Sequence, residues 1–312
     1  MTNKPTRYEI VPQANQEASF QVDGVEKLRW HFGKQAPRPF FYPFCGPSNV
    51  SLTRIGHPGV GNHDHHRSVW FAHHKVLGIN FWSDNTEAVV RQREWLRYRD
   101  GQNEASMAVK LDWFDGHNPT PLLTQDLIVG FRLHADGGTL LELQSTFTPQ
   151  ADQLEFGQTN FGFLAVRVAK SISTYFGQGI IQNDAGVQGE KNLFEKTSSW
   201  MDYSGPIPVG TGKDRRYVTE GITYYDHPGN ISYPTRWHVR EDGWMGASAC
   251  GAKSILITKE KPLTLRYLLH AHPGPADLDR QKSLNESFAK SPKYVLNKAT
   301  TRHTQWEIER QK

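Results

Sequence analysis

The sequence is poor in cysteine and has no long apolar run. Among its 312 residues only Cys45 and Cys250 are cysteines, too few for a disulfide framework. We expect two reduced thiols in a cytoplasmic protein. No stretch approaches the roughly 18 apolar residues that span a bilayer, so we expect no membrane partner. The first residues also lack the apolar segment of a secretory signal.

Strong charge and the common nucleotide and nucleophile motifs are missing as well. The net charge is only +4, from 36 basic and 32 acidic side chains, and no Lys/Arg block alternates with aromatics, so we expect no nucleic-acid partner. The sequence has no Gly-x-Ser-x-Gly elbow, no phosphate-binding loop and no dinucleotide fingerprint in a βαβ context. A hydride-transfer enzyme of the Rossmann type is therefore not expected.

Helical periodicity is also scarce, and most of the chain alternates between apolar and polar residues. Met107–Trp113 and Leu141–Phe147 are clear examples, and alternation of this kind is typical of antiparallel strands with one buried face. The turn signal His134–Gly138 predicts a hairpin between two strands. The expected fold is all-β: an antiparallel β-sandwich with few short helices. We expect residues 1–312 to form a single domain with long decorated loops.

Two segments are helix candidates. Pro275–Ala289 has a proline near its start, Asp277 and Asp279 in its first turn, and apolar residues roughly on one side. It is predicted to be the longest helix. A shorter helix is predicted near Leu193–Trp200.

The sequence is rich in histidine and aromatics, with 14 His, 9 Trp and 11 Tyr. Six of the histidines fall within residues 57–74. Imidazole titrates near neutral pH and is the commonest metal ligand. A loop that ends in a strand can present several of these rings to a substrate or to one divalent ion. The alternative is that the histidines only hydrogen-bond the loop to itself and to carboxylates. The predicted catalytic residues are His63, His65, His66, His73 and Arg67.

Metal ligation is a narrower expectation for the same segment. A carboxylate would complete a set formed by His63, His65 and His73 around a divalent metal. We also expect His63, His65 and either His66 or His73 to converge, with Arg67 turned toward Asp64 or Asp226. Since like charges a few ångströms apart disfavour each other, most of these imidazoles are expected to be neutral near pH 7.

Other polar and aromatic clusters suit the binding of hydroxyl groups. A strand over 236–240 would place His238 and Arg240 on one face. We expect Trp237, His238 and Arg240 to line the same pocket as the histidine-rich segment. A turn with an ordinary edge strand is the competing interpretation. The predicted substrate-binding residues are Trp70, Trp82, Asp202, Asp226, His227, Trp237, His238, Arg240 and His272.

Several of these motifs together resemble one family. The matching segments are Arg38–Pro43, His63–His73, Asn80–Trp82, Trp200–Gly205, Asp226–Pro228 and Pro234–Arg240. In this order they resemble the bacterial DUF6807 family, often labelled "methane oxygenase PmoA family". The methane-oxidising subunit of that name is a membrane protein, so the absence of a membrane span opposes the label. The resemblance instead implies a role in sugar catabolism.

A second resemblance concerns the fold, and several residues depart from the family pattern. Leu123–Val168 is similar to the strand pattern of the galactose-mutarotase-like supersandwich. Asp64 stands where the family usually has proline, and Ser68 and His74 stand where it has glycine. Gln158–Asn160 replace a common acidic pair, so if that pair is catalytic in the family, this member differs in chemistry or is inactive.

Three functions remain open from the sequence. The first is a carbohydrate-active enzyme whose histidines carry out acid/base chemistry, such as epimerisation, elimination or hydrolysis of a sugar or keto-sugar, with possible assistance from a divalent metal. The second is a non-catalytic sugar-binding protein. The third is a metal-dependent oxygenase with an open, histidine-rich site. The expected partner in the first two cases is a small-molecule carbohydrate.

Overall fold

The computed structural model describes residues 5–57 and 59–311. Residues 1–4, where the sequence lacks the apolar segment of a secretory signal, lie outside the described residues. Among the described residues the chain forms two α-helices, α1 (Glu190–Leu193) and α2 (Leu278–Lys290). The strands are β1 (Tyr8–Gln13), β2 (Glu17–Val22), β3 (Val25–His31), β4 (Phe40–Phe44), β5 (Val69–His73), β6 (Val89–Arg99), β7 (Ala105–Phe114), β8 (Leu123–Leu133), β9 (Thr139–Pro149), β10 (Gln153–Phe156), β11 (Gly162–Arg167), β12 (Ile180–Asn183), β13 (Trp200–Val209), β14 (Arg216–Asp226), β15 (Arg236–Arg240), β16 (Trp244–Ser248), β17 (Ile255–Thr258), β18 (Leu263–Pro273), β19 (Tyr294–Lys298) and β20 (Trp306–Arg310).

Most strands belong to two eight-stranded antiparallel sheets. The first sheet has the order β1-β2-β3-β4-β5-β11-β16-β15, and the second has the order β12-β13-β14-β18-β9-β8-β7-β6. Two small two-stranded sheets, β10-β17 and β19-β20, complete the set in the described residues. The predicted all-β class is confirmed, and the hairpin predicted at His134–Gly138 joins β8 to β9. The galactose-mutarotase-like architecture stays a prediction.

The hydrophobic core lies between the two large sheets. Phe71 of the first sheet contacts Tyr267 of the second with ring centroids 6.4 Å apart. The hydroxyl of Tyr224 donates to the carbonyl of Leu164 across the interface at 3.2 Å. Because side chains alternate along a strand, Trp70 of β5 lies on the opposite, outer face of the first sheet, in a separate aromatic cluster. This outer face carries the candidate site described below.

The long helix covers part of the outer face of the second sheet. It begins at Leu278, three residues after the predicted start, because the carboxylate of Asp277 caps it by accepting from the Arg280 amide at 2.9 Å. Leu284 and Phe288 are buried against Trp200 and other apolar residues of this sheet. The predicted shorter helix is a single turn, Glu190–Leu193, and Trp200 belongs to a strand instead.

Both cysteines are unpaired. Cys45 and Cys250 are buried, and burial raises the pKa of each thiol to about 12. Neither is therefore a reactive thiolate at neutral pH. No α-helix in the described part of the chain is both long and apolar enough to span a bilayer.

Candidate functional site

A cavity of about 600 Å³ lies on the outer face of the first sheet, where the histidine-rich segment folds over β5, β15 and β16. Its wall includes His63, His65 and His66 from this segment and His238 from β15. The prediction that His238 and Arg240 line the same pocket as the histidine-rich segment is confirmed. The aromatic side of the cavity is formed by Trp82, Phe161 and Trp244.

The histidines converge because the segment turns instead of running extended. Gly61–His63 form a single 3-10 turn, and the amide of His66 donates to the carbonyl of His63 at 3.0 Å. The ring centroids of His63 and His66 are 5.2 Å apart, and those of His65 and His66 are 4.3 Å apart. His65 also lies 6.1 Å from His63. Three imidazoles can thus contact one small ligand.

A group of tryptophans packs beneath and beside these rings. His66 stacks on Trp70 with centroids 5.6 Å apart, and Trp82 lies 5.5 Å from Trp70 and 5.7 Å from Trp244. The indole nitrogens of Trp70, Trp82 and Trp244 are buried and have no hydrogen-bond partner among the described residues. Buried donors are normally paired. Trp82 and Trp244 line the cavity, while their indole N–H groups are buried and unpaired among the described residues.

Strand alternation decides which of the β15 residues reach the cavity. His238 and Arg240 line it, as predicted, and His238 contacts Trp244 with centroids 4.2 Å apart. Trp237 lies on the other face, is fully buried, and donates its indole N–H to the carbonyl of Ser198 at 2.9 Å. The structure therefore does not bring Trp237 to the pocket, and this placement differs from the prediction.

Two carboxylates that the sequence did not single out hold the rim in place. Asp84 accepts from Arg38, and Arg67 approaches its other oxygen, with both N–O distances at 2.6 Å. Arg67 thus pairs with Asp84 and not with the expected Asp64 or Asp226. Asp242 accepts from the buried Arg167 at 2.8 Å. Asp242 lies in the turn between β15 and β16, and the Asp242-Gly243 pair, a common turn signal, is the feature of the sequence that could have indicated it.

The pKa values of several cavity histidines are lowered. Burial, followed by the neighbouring histidines and Arg167, keeps the pKa of His66 far below its usual value. Burial lowers the pKa of His238 to about 4, and burial together with His57 lowers that of His63. These imidazoles are therefore neutral at pH 7, as predicted, although desolvation contributes more than mutual repulsion. A neutral imidazole can both donate and accept a hydrogen bond.

His73 lies away from this cavity. It is fully buried on the core side of β5, with its ring 4.7 Å from Phe163 and 5.3 Å from Phe156. Its Nδ1 accepts from the Lys75 amide at 3.1 Å, and burial lowers its pKa to about 3. The structure therefore separates His73 from His63 and His65, and the predicted three-histidine metal set is not assembled.

Four other predicted binding residues belong to the second sheet and its flanks. His272 and Asp202 face each other on its outer side, with Nε2 and Oδ2 2.7 Å apart and both side chains fully buried. His227 is buried beneath α2, where its Nε2 lies 2.9 Å from Arg266, and burial and Arg266 lower its pKa to about 4. Asp226 is buried at the end of β14. These residues do not line the histidine cavity.

Asp226 carries a testable pH dependence. Its carboxylate accepts from Asn230 at 2.6 Å and from Thr235 at 2.5 Å, and burial raises its pKa from 3.8 to about 6. Because the pKa of Asp226 is higher in the folded state than in the unfolded state, this group stabilises the fold fully when the pH is below the unfolded-state pKa. The stabilisation is lost as the pH rises through about 6. The loss is on the order of 3 kcal/mol. Asp226→Asn should remove this pH dependence of stability, which urea unfolding between pH 4 and 7 would measure. Asp152→Asn, at an exposed site, is the control, and an unchanged pH slope in Asp226→Asn would contradict the expectation.

The sequence model of the family of unknown function DUF6807 matches residues 17–286. The chain belongs to this family. No curated protein matches the DUF6807 chain described here. The family match covers both large sheets, except for the first strand, and the whole histidine cavity.

Two residues of the histidine motif have backbone conformations typical of glycine and proline. Ser68 has a φ of 59°, a left-handed conformation that favours glycine. Its hydroxyl donates to Thr53 at 2.7 Å. Asp64 has a φ of −66°, which is also the value that proline imposes. Ser68 and Asp64 thus adopt backbone conformations that glycine and proline also adopt.

The other departures lie at or beside the cavity. His74 lines it, and burial lowers the pKa of its imidazole. The carbonyl of Asn160 accepts from Ser248 at 2.6 Å and lies 3.3 Å from His238. Gln158 and Thr159 line an adjoining depression together with His74. Gln158–Asn160 thus lie next to the histidines of the cavity.

Proposed function

We propose that this DUF6807 protein is a carbohydrate-active enzyme that transfers protons with the histidines of the cavity. The observation that carries the proposal is the contact between three imidazoles above a tryptophan wall. Neutral imidazoles accept protons at pH 7, and sugars offer both acidic hydroxyls and, beside a carbonyl, acidic C–H groups. Epimerisation by proton transfer is the reaction that adjacent imidazoles suit best.

The three histidines are suited to different roles. His66 is the most buried of them, and its strongly lowered pKa makes it a poor base but a good neutral hydrogen-bonding group for a sugar oxygen. His63 and His65 are only partly buried, so they exchange protons with solvent more readily. One of them would take the proton from the sugar carbon, leaving the electron pair on the enolate oxygen. The imidazolium formed in this step would pass its proton, directly or through solvent, to the other histidine, which would return a proton to the carbon as the electron pair moves back from the oxygen.

The surroundings support a polyhydroxylated ligand. The rings of Trp82 and Trp244 line the cavity, and Arg240, 53% exposed and paired with Glu190 at 3.2 Å, is a cation at the rim whose remaining N–H groups can bind a carboxylate. A second cavity of about 660 Å³ adjoins the first through Arg240 and Asp242 and is lined by Tyr175. This extra space favours a substrate larger than one sugar ring.

A ligand screen followed by isotope exchange tests the proposal. The Tm of the full chain would be measured in the presence of neutral sugars, keto-sugars, uronates and disaccharides, with and without divalent metals. A ligand at about 100 times its Kd stabilises the fold by about 2.7 kcal/mol. Ligands that raise Tm would then be incubated in D₂O with the protein, and we expect NMR to show loss of a sugar C–H signal.

The second candidate, a non-catalytic sugar-binding protein, has a specific observation in its favour. Asp84 and Asp242 are each paired with arginine, so these two rim carboxylates already have partners within the protein. A sugar that raises Tm without any exchange or turnover would favour this candidate. A panel in which no sugar binds would contradict both functions.

Tyr175 provides a prediction about the second cavity. Its ring is 71% exposed at the cavity wall, where it can stack on a second sugar unit. Tyr175→Ala should weaken disaccharide binding roughly threefold to tenfold, which is up to about 1.4 kcal/mol, and leave monosaccharide binding unchanged. Titration calorimetry would measure both. Tyr217→Ala, at a tyrosine that is 62% exposed elsewhere, is the control, and equal losses for both sugars would contradict the prediction.

A further inference from the structure

A second group of histidines lies at the end of the second sheet, on the face that α2 partly covers. His134 and Asp136 belong to the turn between β8 and β9, and His270 is on β18. The Nδ1 of His134 lies 3.0 Å from Asp136 Oδ1, and the Nε2 of His270 lies 3.4 Å from the same oxygen. Among the described residues, this is the group whose histidine and carboxylate ligand atoms all come within 4.8 Å of one another.

Hydrogen bonding does not account fully for this arrangement. Asp136 Oδ1 already accepts from the Gly138 amide at 2.9 Å. The Nδ1 of His134, despite its short distance to this oxygen, has no hydrogen-bond geometry to any described residue. The other oxygen of Asp136, Oδ2, is buried without a hydrogen-bond partner in the described chain. In the tautomer that carries its proton on Nε2, His134 Nδ1 and the Asp136 carboxylate both present lone pairs at close range, an arrangement that a shared cation stabilises.

The distances also fit a coordination shell. Zinc–nitrogen bonds of about 2.0–2.1 Å in a tetrahedral site separate neighbouring ligand atoms by about 3.3–3.4 Å. The 3.4 Å separation at Asp136 agrees with this value, and the 3.0 Å separation is about 0.3 Å shorter. The turn leaves room for the group because Gly138 has no side chain: a Cβ there would lie 2.6 Å from His270 Nε2 and 2.9 Å from Asp136 Oδ1.

We propose that His134, Asp136 and His270 bind a divalent transition-metal ion of the Zn²⁺ and Fe²⁺ class. Two imidazoles and one carboxylate are a ligand set that these ions share. His134 is 29% exposed and Asp136 is 17% exposed, so water can complete the coordination from the solvent side. The ion ties the β8–β9 turn to the end of β18. This site is separate from the histidine cavity and does not depend on the proposed function.

Arg280 of α2 provides a second test, because its replacement should change the metal affinity in the opposite direction to the removal of a ligand. Its Nη1 lies 3.7 Å from Asp136 Oδ2, and its Nη2 lies 3.1 Å from the Pro273 carbonyl. A positive charge so close opposes binding of a cation. Arg280→Gln should therefore strengthen metal binding severalfold, whereas removing a ligand weakens it.

The experiment is a titration of the chelator-treated full chain with Zn²⁺ by calorimetry and with Co²⁺ by visible absorption. We expect one site that survives in His66→Ala, which removes a histidine of the other cluster. His134→Ala and Asp136→Asn should each weaken it by roughly tenfold or more, the loss typical of changes around metal sites. His117→Ala, at an exposed histidine, is the control. Both ligand variants lie at a surface turn, and circular dichroism checks that they fold.

Two outcomes would overturn the proposal. One is that the wild-type chain binds neither Zn²⁺ nor Co²⁺. The other is that His134→Ala and Asp136→Asn bind both ions as tightly as the wild type, or that only His66→Ala loses binding. In that case the ion belongs to the histidine cavity, and the group around Asp136 is a polar contact within the turn.

Discussion

His65→Ala should reduce sugar-dependent proton exchange by about 10²- to 10⁴-fold, the usual contribution of a general acid or base. The ring of His65 lies 4.3 Å from that of His66 and 6.3 Å from that of Trp82. It is only partly buried, so its removal leaves little empty space in the core and the fold should persist. His66→Ala should abolish exchange or ligand binding too, at a larger cost in stability, because His66 packs on Trp70.

The measurement is NMR exchange in D₂O with whichever sugar the screen identifies, together with Tm in its absence. His117→Ala is the matched control, because it removes an exposed imidazole outside the cavity. If His65→Ala and His66→Ala both unfold while ligand binding persists in any variant that folds, the cluster is a structural network. Full exchange in folded His65→Ala would likewise exclude the proposed role of this residue.

Glu142→Ala should cost about 3–5 kcal/mol of unfolding free energy, the typical penalty for leaving a buried charge without its partner. Glu142 on β9 is fully buried. Its Oε1 accepts from Arg266 at 3.0 Å, and its Oε2 accepts from Arg310 of β20 at 2.7 Å. Removing the carboxylate leaves Arg266, itself buried, without its anion.

The same network sets a pH dependence of the opposite sign to that of Asp226. Burial alone would raise the pKa of Glu142, but hydrogen bonding and charge from Arg310 and Arg266 hold it below 4.5. A lowered folded-state pKa gives stability that is present above the unfolded value and lost as the pH falls through the folded one. Glu142→Ala should therefore lose most at neutral pH and less in acid.

Urea unfolding at pH 7 and in mild acid would measure both effects. Glu307→Ala is the control because Glu307 pairs with Arg97 at the surface, at 3.5 Å and with its side chain 26% exposed. Such exposed pairs contribute about 1 kcal/mol or less. Equal losses in the two variants would show that the Glu142 network stabilises the fold no more than an exposed pair.

The fold class could be predicted because the alternation of apolar and polar residues within one strand reflects the burial of one face of that strand. Alternation in Met107–Trp113 and Leu141–Phe147 predicts strands because one face of each is buried. The hairpin at His134–Gly138 followed from its turn residues. The order of the strands did not follow, because β5 pairs with β11 and β9 pairs with β18. Such distant pairing depends on packing across the whole core, which no sequence window contains.

The candidate site was predicted only in part, because local patterns place neighbouring residues but do not show which distant residues join them. Residues close in sequence, such as His63, His65 and His66, converge once the segment turns. Trp237 was assigned to the pocket although it alternates with His238, so the two-residue period of the strand already placed it on the other face. His272 and Asp202 could not be assigned to a sheet from sequence. Asp84 and Trp244 carried no motif, and only the fold brings them to the cavity.

The tryptophan cluster has a consequence for how ligands can be detected. Trp70, Trp82 and Trp244 form a chain of rings spaced by 5.5 and 5.7 Å, and His66 and His238 contact it directly. Rings this close exchange excitation energy, and a protonated imidazole beside an indole quenches its emission. Occupation of the cavity, or proton uptake within it, therefore changes the intrinsic fluorescence. Tryptophan fluorescence can therefore report the binding of a ligand in the cavity without an added label.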